Sequence, residues 1–323
     1  MRTVVVTGAS AGIGRAAARA FARRGWNVAL IARGAAGLAA AEAEVERAGG
    51  RALTMQCDVA DFRAVEEAAS RAERELGPIA VWVNNAMVTV FCDALSVTPE
   101  DFRRATEVTY LGAVWGTRVA LARMKPRNRG AIVQVGSALS YRSIPLQSAY
   151  CGAKAALRGF TDALRCELLH DGSRVHLTMV HLAAFNTPQF EWARTCMPRR
   201  PRPLGTIFQP ELAGEAIYWA AQHHRRELWV GWPAVQAILG QRLVAPLLDR
   251  LLARRAYEGQ FSEQPLPAGR EDNLYQPVDE DRGAHGRFDH LAVSTSGQHW
   301  ANTHRGLLAA ALIGLGWLCL RNR

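Results

Sequence analysis

Apolar runs of strand length alternate with amphipathic stretches of helical length through the first 230 residues of the chain. Several runs are β-branched and almost continuously apolar, which is typical of strands buried on both faces of a sheet. The strands are predicted at Thr3–Thr7, Asn27–Ala32, Ala52–Gln56, Ala80–Asn84, Ala131–Gly136, Arg174–His181 and Leu228–Val230. The helices are predicted at Gly12–Arg24, Ala36–Ala48, Phe62–Leu76, Pro99–Met124, Ala149–Leu169 and Pro210–Gln222. This alternation indicates an α/β protein whose doubly wound parallel sheet is flanked by helices on both faces.

The alternation stops near residue 240, which divides the chain into three parts. Residues 1–240 are predicted to form one α/β domain. Residues 241–304 are predicted to form an extension, in which 241–256 could add one more helix. Residues 258–298 mix Pro, Gly, Asp, Glu and Gln with few aliphatic clusters, so we expect this part of the extension to be extended or partly disordered. Residues 305–321 form an apolar C-terminal segment, in which the uncharged run 306–320 lies between two arginines.

The apolar segment is open to three interpretations. As a helix, the run 306–320 would span about 22 Å, which is short of the ~30 Å hydrocarbon core of a bilayer. Flanking side chains could snorkel to the interface, so the segment could anchor the chain to a membrane. It could equally dock on its own domain or on a partner subunit.

The basic charge is not arranged as a nucleic-acid surface. The chain carries 39 Lys and Arg against 29 Asp and Glu, a formal net charge of +10. Lys125 and Lys154 are its only lysines, and the arginines are scattered through helices that also carry Asp and Glu. A nucleic-acid site needs basic residues clustered on one face, so we exclude this class of partner.

The cysteines and the N-terminus indicate a reducing compartment. The six cysteines show neither a CxxC pair nor zinc-ligand spacing, so we predict free thiols and no metal site. The apolar run after Arg2 is too short for a secretory signal, and we expect a cytoplasmic protein. His176 and His181 lie in a predicted strand and are expected to be packed core residues rather than ligands.

A glycine-rich turn follows the first strand and opens the first helix. Its candidate binding residues lie within Thr7–Gly14 and are Gly8, Ser10, Ala11, Gly12, Ile13 and Gly14. Glycines permit a tight turn and let backbone N–H groups approach a pyrophosphate at the positive end of a helix. The alternative is an ordinary strand-to-helix turn, but the position between first strand and first helix is the one that a dinucleotide site requires.

A tyrosine and a lysine stand four residues apart at the start of a predicted helix. Tyr150 and Lys154 therefore share one helix face, and Ser137 ends the preceding predicted strand. A phenol alone has a pKa near 10, and a nearby ammonium stabilises the phenolate. The Ser137 hydroxyl can hydrogen-bond a substrate oxygen on which charge develops. The alternative is an incidental surface pair.

The spacing T-G-x-x-x-G-x-G together with Ser137, Tyr150 and Lys154 resembles the short-chain dehydrogenase/reductase family, specifically its single-domain oxidoreductase branch. The resemblance covers about residues 1–235 and implies a Rossmann-type fold and a Ser-Tyr-Lys catalytic set. It also implies cofactor contacts beyond the glycine turn, from Asp58 and Val59, Asn85 and Ala86, Tyr150, Lys154 and Thr187. Because family members commonly pair through two long helices, it further implies a homodimer or homotetramer.

Arg33 follows the second strand, where the choice between the two nicotinamide cofactors is made. An acid there would hydrogen-bond the ribose 2′-hydroxyl, and an arginine accommodates a 2′-phosphate. This chain has Ala32 and Arg33 and no acid, which favours NADP(H) over NAD(H). The alternative is that Arg33 only faces water.

The chain departs from the family pattern at three positions. Thr109 replaces the asparagine that holds a proton-relay water in the family; its backbone carbonyl is retained, so we expect the relay to persist in an altered site. Met87 replaces a glycine after Asn85 and Ala86, and should narrow the cleft. The usual Pro-Gly pair before Thr187 is Ala183-Ala184.

The sequence therefore predicts an NADP(H)-dependent oxidoreductase that interconverts a secondary alcohol and a ketone, or an aldehyde. Aromatic and sulfur side chains at Phe190, Trp192 and Met197 suggest an apolar small-molecule substrate, or simply cover the core. The alternative function is a non-catalytic NADP(H)-binding scaffold or redox sensor tethered by the C-terminal extension.

Overall fold

The computed structural model describes residues 1–306 and has one seven-stranded parallel sheet at its centre. Its strands are β1 (Thr3–Thr7), β2 (Asn27–Ala32), β3 (Arg51–Gln56), β4 (Ile79–Asn84), β5 (Gly130–Ser137), β6 (Val175–Leu182) and β7 (Glu227–Val230). Their order in the sheet is β7-β6-β5-β4-β1-β2-β3. The predicted doubly wound parallel sheet is confirmed, and with it the Rossmann-type topology, in which the order reverses between β1 and β4.

Helices connect the strands and cover both faces of the sheet. They are α1 (Gly12–Ala22), α2 (Ala35–Arg47), α3 (Phe62–Leu76), α4 (Pro99–Thr106), α5 (Gly112–Met124), α6 (Ser148–His170), α7 (Gln189–Trp192), α8 (Pro210–Gln222), α9 (Trp232–Gly259) and α10 (Gly297–Thr303). A π-helical turn, Glu107–Leu111, joins α4 to α5, and 3-10 turns lie at Lys125–Arg127 and Ala138–Ser140.

Successive strand residues pack on opposite faces of the sheet. In β1, Val4 and Val6 belong to the core under α1, α2 and α8. Val5 lies between them in sequence and belongs to the core under α3, α5 and α6. Because side chains alternate along a strand, a central strand must be apolar at every position, and β1 and β2 are buried throughout.

Side-chain caps fix the starts of two of the helices. The Asp61 carboxylate accepts hydrogen bonds from the backbone of Arg63 and Ala64 at the start of α3. The Thr98 hydroxyl accepts from Asp101 N, 3.1 Å away, at the start of α4, with Pro99 in its first turn. Such caps satisfy N–H groups that have no partner within the helix.

The helix predicted after β7 is present in the structure. As α9 it continues to Gly259, with non-helical backbone at Val244 just before Pro246. Strand Phe261–Pro265 then pairs antiparallel with Arg199–Pro201. Backbone hydrogen bonds between distant segments, rather than local propensity, order these residues.

Most of the apolar C-terminal segment, 305–321, lies outside the described residues. The prediction that this segment anchors the chain therefore concerns residues outside the described part. Within residues 1–306, no helix is both long enough and apolar enough to cross a bilayer.

Candidate active site

The glycine turn lies between the carboxyl end of β1 and the first turn of α1. Gly8 and Gly12 have φ of 67° and 57°, in the left-handed region that side chains disfavour. A Cβ at Gly14 would collide with the Gly8 carbonyl oxygen, so the helix can approach the turn only because residue 14 is glycine. The spacing of these glycines thus follows from backbone geometry.

Asn85, at the carboxyl end of β4, holds this turn in place. Its Nδ2 donates to the Thr7 carbonyl oxygen at 2.9 Å, and its backbone N donates to Thr7 Oγ1 at 2.9 Å. The resemblance had implied a cofactor contact for Asn85. The structure adds a bracing role, which the sequence did not suggest because Thr7 lies 78 residues away.

A cleft runs along the carboxyl ends of β1 to β4 and encloses about 180 Å³ of free space. Most of the predicted cofactor residues line it: Gly8, Ser10, Ala11, Gly12, Ile13, Arg33, Asp58, Val59, Asn85, Ala86 and Thr187. Met87 lines it as well. A Cβ on Gly12 would come within 3.3 Å of Thr187 and fill the gap between them. At the N-terminus of α1, Gly12 N donates to the Gly283 carbonyl oxygen at 3.1 Å, so a dinucleotide pyrophosphate bound at this turn would have to displace that carbonyl.

Arg33 is half-buried and contacts a distant part of the chain rather than water. Its guanidinium donates to the carbonyl oxygens of Asn273, Leu274 (3.3 Å) and Tyr275 (3.0 Å). Burial lowers the pKa of Arg33, and the nearby Asp58 carboxylate opposes that shift. The arginine is thus at the cofactor cleft, with acceptors that the sequence did not indicate.

Asp58 lies in the cleft with both carboxylate oxygens engaged. One accepts from Ala60 N at 3.0 Å, and the other pairs with Arg104 on α4. Arg104 also donates to the Leu274 carbonyl oxygen at 3.1 Å. Arg104 was missed at the sequence level because nothing in α4 distinguishes it from the chain's other arginines.

Ser137 and Tyr150 meet where β5 ends and α6 begins. The Ser137 hydroxyl accepts from Leu139 N at 3.1 Å, which fixes its position at the strand end. Burial raises the pKa of the Tyr150 phenol, and a hydrogen bond with the Ser137 side chain opposes part of that rise. The structure therefore brings together the two hydroxyls that the sequence pattern selected.

Lys154 is buried one helical turn beyond Tyr150. Its Nζ donates to the Val135 carbonyl oxygen at 2.7 Å and lies 5.7 Å from the centre of the Tyr150 ring. Burial lowers the pKa of Lys154 from 10.5 to about 8. Charged lysines are costly to bury, so a buried lysine beside a phenol is typical of a site with a chemical role.

Thr109 is fully buried in the π-helical turn between α4 and α5. Its hydroxyl donates to Val88 O at 2.9 Å and accepts from Val88 N at 3.1 Å. The side chain thus clamps the loop after β4, whose residue Val88 lines the cleft. Single π turns are frequent at functional sites, and this one coincides with the position at which the chain departs from the family pattern.

The segment after β6 divides between core and cleft. Phe190 of α7 packs in a buried cluster with Phe91 and Phe288, whereas Trp192 lines the cleft. Cys196, just beyond, forms a disulfide with Cys92. Our prediction of free thiols was therefore wrong for this pair, because folding brings their Cα atoms within 5.3 Å despite 104 residues of separation.

His181 and Glu227 form a polar pair next to Ser137, and Glu227 was not identified from the sequence as part of it. His181 is fully buried, as expected, and its Nδ1 is 3.1 Å from the Ser137 carbonyl oxygen. Glu227 lies 3.7 Å from its Nε2 and accepts from the Tyr141 hydroxyl at 2.7 Å. Burial raises the pKa of Glu227, but the nearby His181 and hydrogen bonds from Tyr141 and Trp229 outweigh it and bring the pKa to about 2. Among residues 1–306, no cluster of three His, Cys, Asp or Glu side chains is placed to hold a metal ion.

Comparisons with known proteins agree with this geometry. A family model described as short chain dehydrogenase matches residues 2–195. The uncharacterized oxidoreductase YxnA of Bacillus subtilis is 33% identical over 315 residues, which cover 97% of this chain and 88% of that protein. A short chain dehydrogenase of Pseudocercospora fijiensis and an uncharacterized oxidoreductase of Mycobacterium bovis, Mb1570, align over 55% and 56% of their own length, at 36% and 34% identity.

Two solved structures share the fold of the α/β domain. An alcohol dehydrogenase from the archaeon Thermococcus sibiricus, complexed with 5-hydroxy-NADP, has a TM-score of 0.62 and 26% identity over 71% of this chain and 96% of that one. A metagenomic short-chain oxidoreductase in complex with NADP has a TM-score of 0.61 and 25% identity, with the same coverage. The chain belongs to the short-chain dehydrogenase/reductase family of oxidoreductases.

Proposed function

We propose that the protein is an NADP(H)-dependent oxidoreductase that interconverts a secondary alcohol and a ketone, or an aldehyde. The observation that carries the proposal is the meeting of Ser137, Tyr150 and buried Lys154 at the carboxyl edge of the sheet. The cleft with the glycine turn lies at the same edge, although none of these three residues lines it. The nicotinamide ring, when bound, supplies or accepts the hydride.

The side chains divide the remaining work between them. In the reductive direction Tyr150 delivers its hydroxyl proton to the carbonyl oxygen, and in the oxidative direction the phenolate removes the alcohol proton. Ser137 donates a hydrogen bond to the same oxygen as charge develops on it. The Lys154 ammonium stabilises the phenolate and lowers the cost of moving the proton. We assign the Thr109 backbone carbonyl to the proton path, on the family resemblance.

The cofactor would lie in the cleft described above. The residues from Gly8 to Gly14 and the N-terminus of α1 would hold the pyrophosphate, and Asp58 and Val59 the adenine end. Asn85, Ala86 and Thr187 would flank the nicotinamide end. Arg33 supplies a positive charge for a ribose 2′-phosphate, and both solved structures described above hold an NADP-type cofactor.

Apolar side chains in the cleft favour an apolar substrate. The cleft is lined by Val88, Trp192 and Ala193, together with Met87, which stands where the family has glycine. Phe190 does not take part because it belongs to the buried cluster. We therefore assign substrate contacts to Trp192 rather than to Phe190.

NADPH consumption by the full chain, measured over a panel of apolar ketones and aldehydes, tests this function. We expect Tyr150→Phe to lose at least about a thousandfold in turnover while still binding NADPH, because only the transferable proton is removed. Tyr218→Phe is the matched control and should keep full activity, because Tyr218 lies on α8 and its ring packs against Phe21 of α1. Binding of NADPH without turnover by the wild type on every substrate would instead support the scaffold.

Arg33→Ala tests the cofactor preference separately. Loss of a charged partner for the 2′-phosphate should weaken NADPH binding by about tenfold or more, and NADH binding much less. The control is Arg103→Ala, an exposed arginine on α4. Equal weakening of both nucleotides would contradict a role for Arg33 in choosing between them.

A further inference from the structure

Residues 272–289 of the C-terminal extension form the outer wall of the cofactor cleft, and we call them the strap. The strap begins where Asp272 pairs with Arg194 at 3.0 Å, and it ends where Asp289 accepts from the Asn186 side chain at 2.8 Å. Between these ends, Asn273, Pro277, Val278 and Glu280 line the cleft. The family resemblance stops before the strap, so the strap brings residues to the cleft that the resemblance does not describe.

The strap binds the side chain to which we assign the 2′-phosphate. Arg33 donates to three successive strap carbonyls, at Asn273, Leu274 and Tyr275. Leu274 is fully buried, which fixes the strap backbone at this point. A 2′-phosphate that bound Arg33 would have to share the guanidinium with these carbonyls or replace them.

The strap also places a carboxylate at the start of α2. Asp279 Oδ1 accepts a hydrogen bond from Ala36 N at 2.9 Å. A Cβ on Gly34 would come within 3.0 Å of the same oxygen, so glycine at position 34 leaves room for the Asp279 carboxylate. The sequence from Arg33 to the start of α2 contains no acid, but the fold places the Asp279 carboxylate next to it.

Asp279 differs from the neighbouring acids of the strap because it has no cationic partner within residues 1–306. Asp281 pairs with the buried guanidinium of Arg15, and Glu280 pairs with Arg282 at 2.8 Å. The charge of Asp279 is balanced only by the backbone N–H and the positive end of α2. Gly34, which this carboxylate approaches, follows Arg33 and lines the cleft, so the field of Asp279 acts on a ligand bound beside Gly34.

A carboxylate at this position discriminates between the two nicotinamide cofactors. A ribose 2′-hydroxyl can donate a hydrogen bond to a carboxylate, whereas a 2′-phosphate is repelled by it and competes for the same helix N-terminus. The strap carbonyl oxygens that accept from Arg33 also disfavour a 2′-phosphate, because they occupy guanidinium N–H groups that the phosphate would otherwise bind. Arg33 and the strap thus oppose each other.

We propose that Asp279 is a specificity-determining residue, supplied by the strap, whose carboxylate disfavours a 2′-phosphate and accepts a 2′-hydroxyl. The proposal rests on the proposed function in that it takes the cleft to hold a nicotinamide cofactor. Asp279 lowers the NADP(H) preference that Arg33 confers, so the full chain binds NADPH less tightly than the arginine alone would allow.

The test compares NADPH and NADH dissociation constants, followed by cofactor fluorescence in the full-length protein without substrate. In Asp279→Asn the amide oxygen still accepts from Ala36 N, and only the charge is removed. We expect NADPH to bind about tenfold more tightly, with NADH changed by less than about twofold, because repulsion at an exposed site is partly screened. Asp279→Ser, which also keeps an acceptor, should shift NADPH in the same direction.

Glu271→Gln is the matched control, since it removes one negative charge at an exposed position next to the strap. It should leave both constants within about twofold of the wild type, because a screened charge acts only over short distances. Unchanged NADPH affinity in both Asp279 variants would overturn the proposal. So would an equal gain for NADH, which would show that Asp279 obstructs the whole cleft.

Failure of the catalytic proposal can be told apart from failure of this one. If the wild type reduces no carbonyl but Asp279→Asn still gains affinity for NADPH selectively, the strap proposal stands and the catalytic proposal falls. If turnover depends on Tyr150 but the Asp279 variants bind both nucleotides as the wild type does, the reverse holds. If neither nucleotide binds to any variant, both fall.

Discussion

The Lys154 ammonium donates to the backbone carbonyl oxygen of Val135, with 2.7 Å between Nζ and oxygen, in the buried space under Tyr150. The contact ties α6 to β5 at the carboxyl edge of the sheet. It is a single hydrogen bond for a buried group that carries a full charge, and burial lowers the pKa of Lys154 to about 8. The lysine is therefore held in place at a cost to the stability of the fold.

Lys154→Met should raise the free energy of unfolding while abolishing turnover. Methionine fills a similar volume without the buried charge, and the lost hydrogen bond offsets part of the gain, so we expect about 1–3 kcal/mol of added stability at pH 7. Urea unfolding of the two proteins measures this. Lys125→Met, which alters an exposed lysine paired with Asp171, is the control and should change stability by less than about 0.5 kcal/mol. A destabilised Lys154→Met would show that the lysine supports the fold.

The pH dependence of Lys154 has a definite sign. Its pKa is lower in the folded than in the unfolded state, so between about pH 8 and 10.5 the unfolded chain binds more protons. The free energy of unfolding of the wild type should therefore rise as the pH increases through that window. The stability difference between the wild type and Lys154→Met should shrink toward zero. Unfolding curves at pH 7, 9 and 10.5 measure it; a constant difference would rule out the assigned shift.

Deprotonation of Lys154 should lower turnover, although it raises the stability of the fold. Because the proposed mechanism uses the ammonium form, kcat should fall above about pH 8 as Lys154 loses its proton. A pH–rate profile with saturating NADPH and substrate measures this. A rate that keeps rising to pH 10 would contradict the need for the ammonium.

Two glycine-to-alanine changes should have opposite effects. Gly14→Ala places a Cβ against the Gly8 carbonyl oxygen, so the turn must shift, and we expect a loss of about 2 kcal/mol or more together with weaker nucleotide binding. Gly159→Ala in α6 meets no atom within 4 Å, and should stabilise the fold by about 0.5–1 kcal/mol. Thermal unfolding and NADPH titration compare them. Equal effects would mean that the close approach at Gly14 is relaxed in solution.

The Cys92–Cys196 disulfide should stabilise the segment that follows β6. It closes a long loop, so the double variant Cys92→Ser with Cys196→Ser should lose about 2–4 kcal/mol of stability. Cys166→Ser, an exposed free cysteine on α6, is the control. Peptide mapping without reductant should find Cys92 joined to Cys196; finding both as free thiols would contradict the pairing.

Periodicity was enough to predict the parallel sheet and its flanking helices. Strands such as β1 are buried on both faces, so their apolar runs stand out. The glycine turn and the Tyr150–Lys154 pair were also readable, because their geometry depends on residues close together in the sequence. The structure brought all of them to one edge of the sheet.

What the sequence did not reveal depends on contacts between distant residues. Residues of the strap are mostly polar, which locally resembles disorder, and they become ordered through partners such as Arg33 that lie more than 200 positions earlier. The Cys92–Cys196 pair and the Glu227–His181 contact have the same character, since neither has a local pattern. The predicted homo-oligomer and the role of the apolar C-terminal segment stay predictions.

The separation in sequence between Arg33 and the carbonyl oxygens that it binds has a consequence during synthesis of the chain. Arg33 and Leu274 are 241 residues apart, so at 5–20 residues per second the ribosome needs roughly 12–48 s to deliver the strap after the arginine. During that interval the nascent β1-to-β4 region presents Arg33 without its carbonyl acceptors and without Asp279. If Arg33 and Asp279 act as we propose, a newly synthesised domain meets the cellular nucleotide pool with the selectivity of Arg33 alone until the strap emerges.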